Sequence, residues 1–137
     1  MLTARATRPL SLALLALLAV GCSGSNLPDM GQVSGVVTLD GAPYANAYVV
    51  FSPTQGRPSE GVTDSEGKYK LNYMPGAPGA LLGNHKVSIT TQYQAPENPD
   101  AAPPFVEPLP AKYNIQSTLT ATVQPGNNQI DFALTRK

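Results

Sequence analysis

Apolar residues in this chain return at every second position, in short bursts separated by glycine, proline, aspartate and asparagine. Successive side chains of a β-strand point to opposite faces, so a period of two marks a strand with one buried face. Val33, Gly35, Val37 and Leu39 alternate with Ser34, Val36 and Thr38. Ala47, Val49 and Phe51 repeat the pattern, and Tyr69, Leu71 and Tyr73 set it against Lys68, Lys70 and Asn72. Val87 and Ile89 continue it, as do Leu119, Ala121 and Val123, then Ile130, Phe132 and Leu134. Val62 and Thr63, just before the Asp64 turn, belong to one further strand, the first arm of a hairpin. The alternation therefore predicts seven strands and, after the first twenty residues, no helix. Short strands with regular turns fold as a β-sandwich or a barrel.

The turns carry their own chemistry. Asp40-Gly41 is a hairpin signal, because glycine accepts positive φ without steric cost. Asp64-Ser65-Glu66-Gly67 and the PGNN run at 125–128 are read as turns. GAPGALLG, ending at Gly83, is a turn-rich insertion whose Leu81 and Leu82 are expected to tuck into a sheet end. Residues 93–111 hold six prolines. Proline cannot donate to a ladder, so this stretch is an extended excursion or a surface loop rather than a central strand.

The first residues answer a different question. Arg5 and Arg8 form a basic start, and Leu10 to Val20 is an apolar run of 11 residues. Crossing a bilayer takes about 20 apolar residues. The run fits a secretory signal peptide over residues 1–21. It ends in Leu18-Ala19-Val20-Gly21-Cys22, which resembles a bacterial lipobox, although Ala19 stands where leucine is usual. The resemblance implies cleavage between Gly21 and Cys22 and lipidation of the Cys22 thiol. One acyl chain holds a protein only marginally and two or more hold it stably, since each buried CH₂ contributes about 0.8 kcal/mol. Cys22 is the one cysteine in the chain. A lipidated Cys22 leaves no thiol for a disulfide, a nucleophile or a metal. Residues 22–31 then read as a lipidated tether and residues 32–137 as the folded domain, with 93–111 as its proline-rich loop.

Counted from Cys22, the chain has 116 residues, one domain's length. Without Arg5 and Arg8, seven basic side chains face nine acidic ones. That balance supplies no electrostatic footprint for nucleic acid.

A second resemblance spans residues 31 to 134. The runs VSGVVTLDGAP, VVFSP, TDSEGKY, GNHKVSI and PAKYN, in that order, resemble bacterial lipoproteins with a carboxypeptidase-regulatory-like domain. The resemblance implies an all-β, seven-stranded Greek-key β-sandwich of the transthyretin type. It also implies an accessory or binding role rather than chemistry.

Candidate chemical residues are few. His85 is the one imidazole, and no partner nucleophile or orienting carboxylate is identifiable. A structural or surface histidine is the reading. The hydroxyisourate hydrolases of the transthyretin-like fold use several histidines and a C-terminal Tyr-Arg-Gly-Ser, whereas this chain ends DFALTRK. Asp64, Glu66, Asp40 and Asp131 could offer oxygen ligands to Ca²⁺, but the spacing does not fit an EF-hand and solvated turns are expected. Ser23, Ser25 and the other serines lack a nucleophile elbow. Tyr44, Tyr48, Tyr93 and Tyr113 are candidates for a ligand-stacking surface. The sequence therefore predicts a non-enzymatic envelope lipoprotein without cofactor or metal. It is held to a membrane through Cys22, with a protein or glycan partner at the cell surface. Ser23 after the anchor, where aspartate would favour inner-membrane retention, points to the outer membrane. The alternative is a carbohydrate- or small-ligand-binding protein.

Overall fold

A computed structural model describes Gly21 and residues 26–137. Strand β1 (Met30–Leu39) is the spine of the first sheet. Its residues alternate strictly, with Val33, Val37 and Leu39 buried, because the second sheet packs on that face. The Asp40-Gly41 turn that follows has both residues at positive φ, 51° and 84°, as a two-residue type I′ hairpin requires. It returns the chain into β2 (Ala42–Pro43), which pairs antiparallel with the end of β1.

The second sheet is built next. Strand β3 (Ala47–Pro53) buries Ala47, Val49 and Phe51 and pairs with β4 (Ser59–Val62). The chain then changes sheets. Strand β5 (Lys68–Lys70) pairs with β1, whereas β6 (Asn72–Met74) pairs with β4. Leu71 is the crossing point: its N–H donates to the Val33 carbonyl at 3.0 Å, and its own carbonyl accepts from Gly79 at 2.8 Å. The sequence reads 69–73 as one strand because alternation is blind to which sheet a strand joins. The crossing needs room. A Cβ on Gly61 would lie 2.3 Å from the Lys70 carbonyl oxygen.

Two short pieces, β7 (Ala77–Pro78) and β8 (Ala80–Leu81), close onto β6 and β1. Leu81 is half-buried, but Leu82 is exposed, contrary to the expectation for it. The long strand β9 (Gly83–Thr91) lies between β3 and β10 (Leu119–Val123). The second sheet thus runs β10-β9-β3-β4-β6-β7. The last strands, β11 (Gly126–Gln129) and β12 (Phe132–Leu134), pair parallel with the two halves of β1. Between them Asp131 accepts from the Val36 N–H at 2.8 Å, standing in for a missing ladder bond.

The fold is an all-β sandwich, with a mixed first sheet. Phe51 meets Phe132 edge-on at 6.1 Å across the two sheets, and Tyr69, Leu71, Val87, Ile89 and Leu134 fill the space around them. Each of the seven expected strands has its counterpart; β2, β7, β8 and β11 are short additions. Small shifts aside (β4 starts at Ser59 and ends before Thr63, and Ile130 precedes β12), three larger boundaries differ from the sequence reading. Met30 and Gly31, assigned to the tether, already pair with Leu81 and Ala80. The PGNN run is not all turn: from Gly126 on it is β11. The turn is closed by the Asn128 side chain, which binds the Gln124 N–H and carbonyl. The third is the split at Leu71.

Residues 93–111 form an excursion, with one 3-10 turn at Pro99–Ala101. It is not wholly on the surface. Leu109 is buried, and Glu107 accepts from the Thr91 N–H at 2.8 Å and from the Leu109 N–H at 3.0 Å. After a second 3-10 turn, Ala111–Tyr113, the chain runs back along β9. Asn114 donates to the Ile89 carbonyl and Ser117 to the Val87 carbonyl.

Candidate functional site

Strand parity puts Tyr48 and Glu60 on the face of the second sheet opposite Val49 and Phe51. Tyr48 pairs with Val62, so Glu60 lies one diagonal away, within reach of a tyrosine side chain. The Tyr48 hydroxyl donates to the Glu60 carboxylate. That bond, then burial, then the carboxylate's charge push the Tyr48 phenol up to about 12. Pairing of Glu60 with Asn72 brings β6 alongside, and Tyr73 follows. The Arg57 guanidinium, from the loop before β4, lies 6.0 Å from the centroid of the Tyr73 ring. Together with Gln92 these side chains line an open groove of about 700 Å³. The volume is within the range of small-ligand sites.

The groove holds aromatic rings, two side-chain amides, one carboxylate and one guanidinium. It can stack a ring and exchange hydrogen bonds with it. Arg57 has no carboxylate partner among the described residues, where the two ion pairs are Lys68–Glu66 and Arg136–Asp40.

The four tyrosines named from sequence do not share one face. Tyr48 lines the groove. Tyr44 is half-buried, with its hydroxyl bonded to Thr91 Oγ1 at 2.7 Å. Tyr93 is exposed and stacks on Phe105 at 4.4 Å between ring centroids. Tyr113 is not a surface residue: its ring is buried, and its hydroxyl accepts from the Thr135 N–H at 3.0 Å. Tyr73, taken as inward, is half-buried and faces the groove, because the chain has changed sheets before it. Tyr73, Arg57 and Glu60 were missed as site residues. Their meeting depends on strand register, which no local pattern reveals.

His85 is buried, on the same parity as Val87 and Ile89. Its Nε2 bonds the Leu81 carbonyl at 2.7 Å, its Nδ1 has no partner among the described residues, and its ring lies 5.7 Å from that of Phe51. That is a core position on the tip of the sandwich. The carboxylates considered for Ca²⁺ are engaged separately. Asp64 accepts from the Glu66 and Lys68 N–H groups, Asp40 pairs with Arg136 at 2.9 Å, and Asp131 bonds Val36. Among the described residues no three His, Cys, Asp or Glu side chains gather as a metal site would require. Cys22, and with it the cleavage bond after Gly21, lies outside the described residues.

No family model matches the chain, and no curated protein matches it. Among solved structures, the crystal structure of a DUF3823 family protein from Parabacteroides merdae is similar at 14% identity and a TM-score of 0.44. The match covers 80% of this chain and 47% of that one, so this chain spans about half its length. A likeness that loose assigns no function.

Proposed function

We propose that this chain is a lipid-anchored module of the bacterial cell envelope, without catalysis of its own, whose β-sandwich engages a protein or glycan partner. The reading rests on the lipobox-like run ending at Cys22. The observation that carries it further is the short reach from that residue to the fold. Strand β1 begins at Met30, eight positions after Cys22. Eight residues span at most about 30 Å. Acyl chains on Cys22 hold the Met30 end of the sandwich near the bilayer. The opposite end, with Asp40, Tyr113 and the proline-rich excursion, is then free to point outward. Exposed Leu27 and Leu82 flank the near end, where apolar side chains are tolerated beside lipid. Ser23 favours the outer membrane over the inner.

Fractionation of cells producing the protein and its Cys22→Ala variant tests the anchor. The parent is expected in the detergent-extracted envelope fraction, and the variant in the soluble fraction or retained with its signal peptide. Equal detergent partitioning of a processed Cys22→Ala protein would overturn the reading.

A further inference from the structure

We infer that the groove between Tyr48, Arg57 and Tyr73 binds a carboxylate-bearing oligosaccharide, a sugar chain with acidic rings. The inference deepens the reading of the chain as a binding module and rests on it. Three properties of the groove point to this ligand class.

The first is shape. The floor is an open sheet face on β3, β4 and β6, and the groove is not enclosed. An open trough takes a chain that continues at both ends; a compact metabolite is better held in a closed pocket. The second is the aromatic lining. Tyr48 and Tyr73 are half-buried, so little rotamer freedom remains to be lost on binding, and they present ring surface to the apolar face of a sugar. The third is the polar inventory. Glu60 only accepts, Arg57 only donates, and the Asn72 and Gln92 amides do both.

A hydroxylated ring answers the amides and Glu60, since each hydroxyl donates and accepts. Arg57 is the discriminating group. It is exposed, and no carboxylate among the described residues pairs with it, while Glu60 is already engaged by Tyr48. A guanidinium fork matches a planar carboxylate bidentately. A neutral sugar leaves that fork unused. A phosphate-rich ligand brings about two negative charges per group beside Glu60, where an acidic sugar brings one per ring. A proline-rich peptide stacks on the tyrosines but offers Glu60 and the amides few donors.

The test is isothermal titration of the detergent-solubilised full chain with three probes: trigalacturonic acid, maltotriose, and a synthetic peptide of residues 96–110. Trigalacturonic acid is expected to bind, with affinity falling as salt rises. Arg57→Gln should weaken it about ten-fold or more, the scale of one lost charge-assisted contact. Maltotriose should bind at least about ten-fold more weakly than the acid and be indifferent to Arg57→Gln. Tyr73→Ala should abolish both while leaving the thermal midpoint near that of the parent. Absence of trigalacturonate binding overturns the inference. So does binding that survives Arg57→Gln, or a preference for the peptide. The module reading fails separately. If crosslinking in intact cells captures a partner through Tyr73 while no sugar binds, the module stands and its ligand class is wrong.

Discussion

At the Met30 end of the sandwich, backbone closes on backbone; at the Leu39 end, inserted side chains close the gap. A Cβ on Gly31 would lie 2.1 Å from the Gln124 carbonyl oxygen, and one on Gly79 would lie 2.6 Å from that of Gly31. No side chain fits between those backbone segments, so the near end is tight. The far end is filled by side chains from irregular backbone. Leu109, near the end of the proline-rich excursion, and Tyr113, just after it, enter the core, and Tyr113 ties its segment to Thr135. The contrast teaches that the Met30 end is intolerant of change. The Leu39 end is a plug whose parts can be weakened by degrees.

The contrast breaks most visibly at glycine. Gly31→Val drives two methyl groups into a backbone carbonyl, and about 4 kcal/mol or more of stability should be lost. Against a total of about 5–15 kcal/mol this leaves a marginal domain, read by urea denaturation. Leu109→Ala should cost about 2–4 kcal/mol, by lost burial plus the cavity it leaves, in the same assay. A cost below about 0.5 kcal/mol would mean that the plug is not part of the core. Tyr113→Phe keeps the ring and removes the bond from the Thr135 N–H, so about 1 kcal/mol is expected. Phe105→Ala, on the exposed excursion, should change stability by less than about 0.5 kcal/mol, yet speed proteolysis between residues 94 and 104.

Between the two ends, the groove makes a prediction in pH. The Tyr48 phenol is raised from 10.0 to about 12, chiefly by its bond to Glu60. Burial raises the Tyr69 phenol as well, with the Asp131 charge adding to it. Between the unfolded and folded values the native state holds more protons than the unfolded one. The stability these phenols contribute is complete below about pH 10 and drains away as pH rises toward 12. Ultraviolet titration should show late-ionising tyrosines, one fewer in Tyr48→Phe.

Where one strand face is buried, the sequence was enough. Val33, Val37, Leu39, Val49, Phe51, Val87 and Ile89 are inward as their parity demands. The same parity extended one step back would have buried His85. Alternation failed where the chain changes sheets at Leu71, because the period of two continues through the crossing. It was silent on Leu109 and Tyr113, which are buried from irregular backbone without a strand period. Of the groove, Tyr48 was legible as an outward tyrosine. Arg57, Glu60 and Tyr73 became neighbours only through the register of three strands.

The proposed tether would give the two ends their meaning, so its chemistry is the decisive quantity. Intact-mass spectrometry of the protein extracted from bacterial envelopes reads it directly. The account predicts a mature chain that begins at Cys22 and carries the added mass of a diacylglyceryl group, with or without a further acyl chain. A chain that retains residues 1–21, or one that begins elsewhere with an unmodified Cys22 thiol, would contradict it.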